Sequence, residues 1–134
     1  MSLLDYGTEL DEDLSLQVFT DGEEVQFMIK EATLHTSATS GNQSIKVVLE
    51  SVQYPDTHDD VVNYVGLPSD TASVKDRKKA LGRLKDFYLA FDVDTSQPVS
   101  IESDLPGKTG VAIVGVDTYE GNTKNTIKKF QVFQ

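Results

Sequence analysis

Apolar residues along this chain keep a period of two over several stretches, and the places where the period breaks mark the elements. From Glu23 to His35 the pattern runs Val25, Phe27, Ile29, then resumes one step out of phase at Ala32 and Leu34. Alternation with one slip near Lys30-Glu31 predicts a long strand carrying a β-bulge. Thr36 to Ser44 is a polar loop. A second strand is predicted over Ile45–Tyr54, with Ile45, Val47 and Leu49 in phase and Val52 and Tyr54 after another slip, ended by Tyr54-Pro55-Asp56. A third runs from Val61 to Gly66 and stops at Leu67-Pro68.

The period then changes to that of a helix, from Ser69 to Phe91. Ser73-Val74-Lys75-Asp76 resembles a capping box. Val74, Ala80, Leu81, Leu84, Phe87, Tyr88 and Phe91 share one broad side, with Lys75, Lys78, Lys79, Arg83 and Lys85 opposite and Arg77 intruding on the apolar stripe. Asp92 to Asp104 is a polar connector with a short strand expected at Val99–Ile101. The chain closes with a hairpin: Val111, Ile113, Val114 and Val116 on one arm, the Gly/Asn-rich DTYEGNTKN as its tip, and TIKKFQVFQ returning.

Three strands, a helix and two strands is the order of an OB-fold, a small Greek-key barrel that binds oligonucleotides on its middle strands and loops. The expected fold is therefore mainly β, a five-stranded OB-fold-like barrel with one α-helix between strands three and four. A helix-packed antiparallel sheet of another topology gives the same order.

Composition changes this picture at one point. The chain has 134 residues and a net charge of −10, enough for one core. Eight acids and no base fall in residues 1–24 (Asp5, Glu9, Asp11, Glu12, Asp13, Asp21, Glu23, Glu24), so residues 25–134 carry only −2. The reading is an acidic leader, residues 1–22, on a nearly neutral domain, residues 23–134, with basic patches. Such a balance opposes sequence-blind wrapping of nucleic acid but leaves room for a local cationic groove. There is no cysteine, which excludes disulfides and thiolate chemistry. No apolar run nears the roughly 20 residues of a membrane span, and the N-terminus lacks a signal-peptide pattern. A cytoplasmic protein is expected, with no membrane partner.

The closing hairpin is the first candidate site. Single-stranded nucleic acid is held by bases stacked on aromatic rings, with cations following the backbone. Tyr119, Lys124, Lys128, Lys129 and Phe130 supply both parts on the connection an OB-fold uses as a binding loop. The same lysines also serve to protect an exposed edge strand from pairing. Tyr54 and Tyr64, with Lys46, would lie on the middle strands, where a tyrosine serves equally as half-buried packing. The helix bases read as a solvated face, whose other use is docking the acidic leader of the same or a neighbouring molecule. Asp56, His58 and Asp60 alternate, but one histidine without a second cluster makes a poor metal shell. His35 has no sequence partner that would make it catalytic. No phosphate loop, nucleophile elbow or paired His/carboxylate motif is present, so no enzyme, metal or cofactor is expected.

One resemblance adds to these readings. Leu105-x-Gly107-Lys108, the run through Val114 and Val116, Tyr119-Glu120-Gly121, Lys124-Asn125 and Ile127-Lys128-Lys129-Phe130 resemble the C-terminal end of a family of small bacteriophage and prophage proteins. These are encoded among replication and recombination genes and regarded as single-stranded-DNA-binding proteins of OB-fold type. Leu81-Gly82 and Leu84 before the aspartate-rich connector fit the same layout; the likeness covers about the last sixty residues. It implies single-stranded DNA as partner, phage or host replication and recombination proteins as further partners, and the host cytoplasm as location. With few cations per monomer, binding would call for a homodimer or an array along the strand. Two readings compete: a protein-binding module, such as a phage adaptor or virion component, and an acidic DNA mimic acting through residues 1–24.

Overall fold

The computed structural model describes residues 2–132; Met1 of the leader and the last two residues of the closing hairpin lie outside them. In chain order the elements are α1 (Gly7–Leu10), β1 (Glu24–Thr36), β2 (Gln43–Ser51), β3 (Val61–Gly66), α2 (Val74–Ala90), α3 (Ile101–Asp104), β4 (Thr109–Tyr119) and β5 (Asn122–Gln131). The five strands form one antiparallel sheet in the order β3-β2-β1-β4-β5. Among the described residues no helix is long and apolar enough to cross a membrane.

β1 holds the centre because it pairs on both edges, with β2 from Phe27 to Thr36 and with β4 from Glu24 to Met28. Its phase slip is a bulge in which Lys30 is the extra residue, between the pairs Ile29↔Leu49 and Glu31↔Val48. The extra residue keeps Phe27, Ile29 and Ala32 on one face despite the broken period. That face meets Ile45, Val47 and Leu49 of β2, Val61 and Val65 of β3, and Ala112 and Val114 of β4, all buried. Phe87 of α2, Phe91 at its C-cap and Leu105 cover it from the other side.

Several expectations are corrected. β3 and β5, the two outer strands, come within 8 Å at Cα, yet no β3–β5 ladder forms among the described residues, so the sheet is not a closed barrel. β3 is only 6 residues long and runs into Pro68, which has no N–H to donate. Among the described residues three helices are present instead of one, and the expected strand at Val99–Ile101 is replaced by the single turn α3. β2 stops at Ser51, leaving Val52 exposed. Helix α2 starts at Val74, capped by the Ser73 hydroxyl accepting the Asp76 N–H at 3.1 Å. Its buried stripe is narrower than the periodicity suggests: Ala80 and Phe87 are buried, whereas Val74 and Leu81 are exposed.

The leader is clipped to the domain near its end. Phe19 is buried and its ring stacks on His58 at 4.2 Å and meets Phe27 edge-on at 6.3 Å. Gln17 forms an isolated parallel bridge with His58. The core therefore reaches back to Phe19, ahead of residue 23.

Gly110 places β4 directly against the end of α2. A Cβ there would stand 2.5 Å from the Ala90 carbonyl oxygen and 3.0 Å from the Phe91 ring. Backbone cannot yield as a flexible side chain can, so Gly110→Ala should cost about 3 kcal/mol or more. At about 3 °C per kcal/mol for a chain of this size, a thermal melt should fall by roughly 10 °C. A shift below about 3 °C would mean that helix and strand separate freely.

Candidate nucleic-acid interface

Along β2 and β3 the residues alternating with the core form an outward face. Lys46 pairs with Tyr64 and Val48 with Val62 across the two strands. Beyond the β1 bulge, Thr33 comes into register beside Lys46 and His35 beside Ser44. The His35 ring meets Tyr64 edge-on at 5.1 Å, leaving Tyr64 51% exposed. At the other end of this face the bulged Lys30 bonds Asp60 at 3.1 Å and lies 3.7 Å from Glu50. Asp60 first, and then Glu50, holds its ammonium above the ordinary lysine range. Carboxylates thus close the face at that end, while Tyr64 is exposed and Lys46 beside it half-buried.

The gap between β3 and β5 forms a groove of about 290 Å³. Asn63, Tyr64 and Gly66 line it from β3, Lys128, Lys129 and Phe130 from β5, and Arg83 and Asp86 from α2. Three cations and one carboxylate border it, and Tyr64 belongs to both groove and outward face. Lys128 is the extra residue of a second bulge, between Ile113↔Lys129 and Val114↔Ile127. A bulge re-aims its side chain. Lys128 runs close over Gly115, where a Cβ would meet its Cγ at 3.2 Å, and reaches Asp21 at 3.0 Å.

Of the residues the sequence proposes, Tyr64, Lys128, Lys129 and Phe130 meet at this groove, with Lys46 one strand away. Phe130 serves the core: its ring packs on Phe87 at 5.2 Å and Phe91 at 5.8 Å, both edge-on. It walls the groove instead of offering a free face to a base. Tyr119 and Lys124 lie elsewhere. The hairpin closes through only Glu120 and Gly121, both at positive φ (50° and 79°), so Tyr119 pairs with Asn122. Such a tight turn needs left-handed backbone, which Gly121 adopts freely. Lys124 is consequently on β5, opposite Asp117, and not in the tip. This arm extends past Ile113, the last β4 residue paired with β1. Tyr119 there is 72% exposed.

Tyr54 is off the strand as well. It follows the end of β2, its N–H donating to Ser51 Oγ at 3.0 Å and its ring lying 5.2 Å from His58. Ser51 is five residues from Lys46, about 16 Å along a strand. Asp56, His58 and Asp60 do not converge: His58 stacks on Phe19, and Asp60 takes Lys30. Among the described residues no group of three His, Asp or Glu is gathered for a metal.

Two residues of the site escape sequence reading. Arg83 precedes Phe87 by one helical turn, so it flanks the buried stripe and reaches the groove; centring the stripe on Phe87 would have found it. His35 joins Tyr64 only because the bulge at Lys30 sets its register. No protein-family model matches this chain, and no curated protein matches it, so its function is read from this groove and the face beside it.

Proposed function

We propose that this protein binds single-stranded DNA without strong sequence preference, as an OB-fold-type domain acting in phage replication or recombination. The order β3-β2-β1-β4-β5 with apposed free edges supports this reading, being that of a five-stranded Greek-key barrel opened between strands three and five. The C-terminal likeness to phage single-stranded-DNA-binding proteins supports it too. The observation that carries it is Tyr64, exposed between Lys46 on one side and Arg83, Lys128 and Lys129 across the groove.

A base stacks on Tyr64 while the backbone follows the cations. Stacking contributes about 1–3 kcal/mol per base. Contact with three or four phosphates gives log–log salt slopes of about −2 to −3 on a single strand. Titrating labelled oligo-dT at low salt and following anisotropy tests this directly. No change at tens of micromolar protein, well inside the range for non-specific binding, would sink the proposal. Tyr64→Ala should weaken binding by about 10-fold, within the range for one stacked base. Tyr54→Ala, away from the groove, should leave the titration curve in place; the reverse ranking would move the interface to the other end of β2.

A further inference from the structure

Residues 2–16 carry five carboxylates (Asp5, Glu9, Asp11, Glu12, Asp13) and no base. Interleaved with them are Leu3, Leu4, Leu10, Leu14 and Leu16, each more than half exposed, Leu3 at 86%. The described residues leave these apolar side chains largely uncovered. The segment is nevertheless held at its base, where the Gln17 N–H donates to the Thr57 carbonyl and Phe19 is buried. It is a tethered arm with open leucines.

A surface complementary to it lies on the outer side of α2. Leu81, Leu84, Tyr88, Leu89 and Val93 line an apolar groove of about 360 Å³, with Lys85 on its border. Leu81 and Leu89 are 41% and 50% exposed. Along the same helix stand Lys75, Arg77, Lys78, Lys79, Arg83 and Lys85, against Asp76 and Asp86. Two of these bases, Lys75 and Arg77, fall in the first turn, where the helix macrodipole disfavours positive charge. Bases that cost the isolated helix stability are explained by an acidic occupant.

We propose that residues 2–16 of one copy dock on the α2 groove of a second copy, leucines in the apolar groove and carboxylates along the helix bases. The contact joins unlike surfaces, so it is heterologous and propagates head to tail. It stands independently of the nucleic-acid reading, since neither the residues of the apolar groove nor Lys75, Arg77, Lys78, Lys79 and Lys85 beside it line the β3–β5 groove, where Arg83 points.

Sedimentation equilibrium of the full chain tests it, using an arm variant (Leu10→Ser, Leu14→Ser, Leu16→Ser) and a groove variant (Leu81→Asp, Leu89→Asp). All five side chains are exposed, so both variants should fold; circular dichroism melts check this. The parent should exceed twice its monomer mass of 14.8 kDa as concentration rises, and each variant alone should stay monomeric. Mixed one to one, the variants keep a single junction between them, the groove of one and the arm of the other. Their mass should therefore plateau at twice the monomer. A parent that is monomeric at every concentration, or a mixture that never dimerises, overturns the proposal; docking within one chain gives the first of those results.

Discussion

Reversing the charge at Arg83, Lys128 and Lys129 together should lower affinity for oligo-dT by at least about 100-fold and flatten its salt slope by about 2. The three side chains border the β3–β5 groove from two different elements. Each phosphate contact on a single strand contributes about −0.7 to that slope, and each added carboxylate repels a phosphate as well. Folding should be nearly unaffected. Arg83 and Lys129 are exposed, and the Lys128–Asp21 ion pair is between half-exposed groups, where such pairs contribute little. Salt slopes for parent and variant, measured by anisotropy alongside thermal melts, separate lost contacts from lost structure. The control is Lys75→Glu, Lys78→Glu, Lys79→Glu on α2, which alters net charge equally but lies outside the groove. If both triple variants lose the same affinity and slope, the protein attracts DNA by overall charge and the groove is not its site.

Asn125→Ala should be the most damaging single change at a polar side chain. Asn125 is buried and its amide is fully used: Oδ1 accepts the Phe19 N–H at 2.7 Å, while Nδ2 donates to the Phe19 carbonyl at 2.9 Å and the Gly115 carbonyl at 3.0 Å. Alanine leaves three backbone groups without partners in a place water cannot readily reach. Each costs about 1–3 kcal/mol when left so, and some relief comes as the leader peels away. A net loss of about 3–4 kcal/mol follows, with a melting point lower by roughly 10 °C. Phe19 should then leave His58 and Phe27, so amide exchange at residues 17–19 should accelerate before the sheet is affected. A variant melting within 2 °C of the parent, at about 3 °C per kcal/mol, with unchanged exchange there, would show that Phe19 is held by its ring alone.

Periodicity was a good guide to what a residue's neighbours along the chain impose. The β1 bulge was legible because Ile29 and Ala32 must share a face, and β3 because Val61–Gly66 is bounded by loop residues and a proline. Periodicity was a poor guide to what each face meets. Val74 and Leu81 follow the helical stripe yet stand in solvent, because α2 touches the sheet along a line narrower than its apolar arc. Phe130 looks like a stacking residue until Phe87 and Phe91 close on it. Lys124 looks like a tip residue until the two-residue turn draws it into β5.

The closing hairpin shows where the division falls. Sequence alone determined its two strands, its aromatic and cationic composition and the acidic leader at the far end of the chain, since these depend on local alternation and on residue type. Tertiary structure alone decided that Tyr64 joins Lys128, Lys129 and Arg83 at one groove, while Tyr119 and Lys124 project away from it. That grouping depends on two bulges, a short β3 and a helix lying across the seam. Which strand edges come to face each other is set by long-range pairing and twist, and no window of neighbouring residues carries that information.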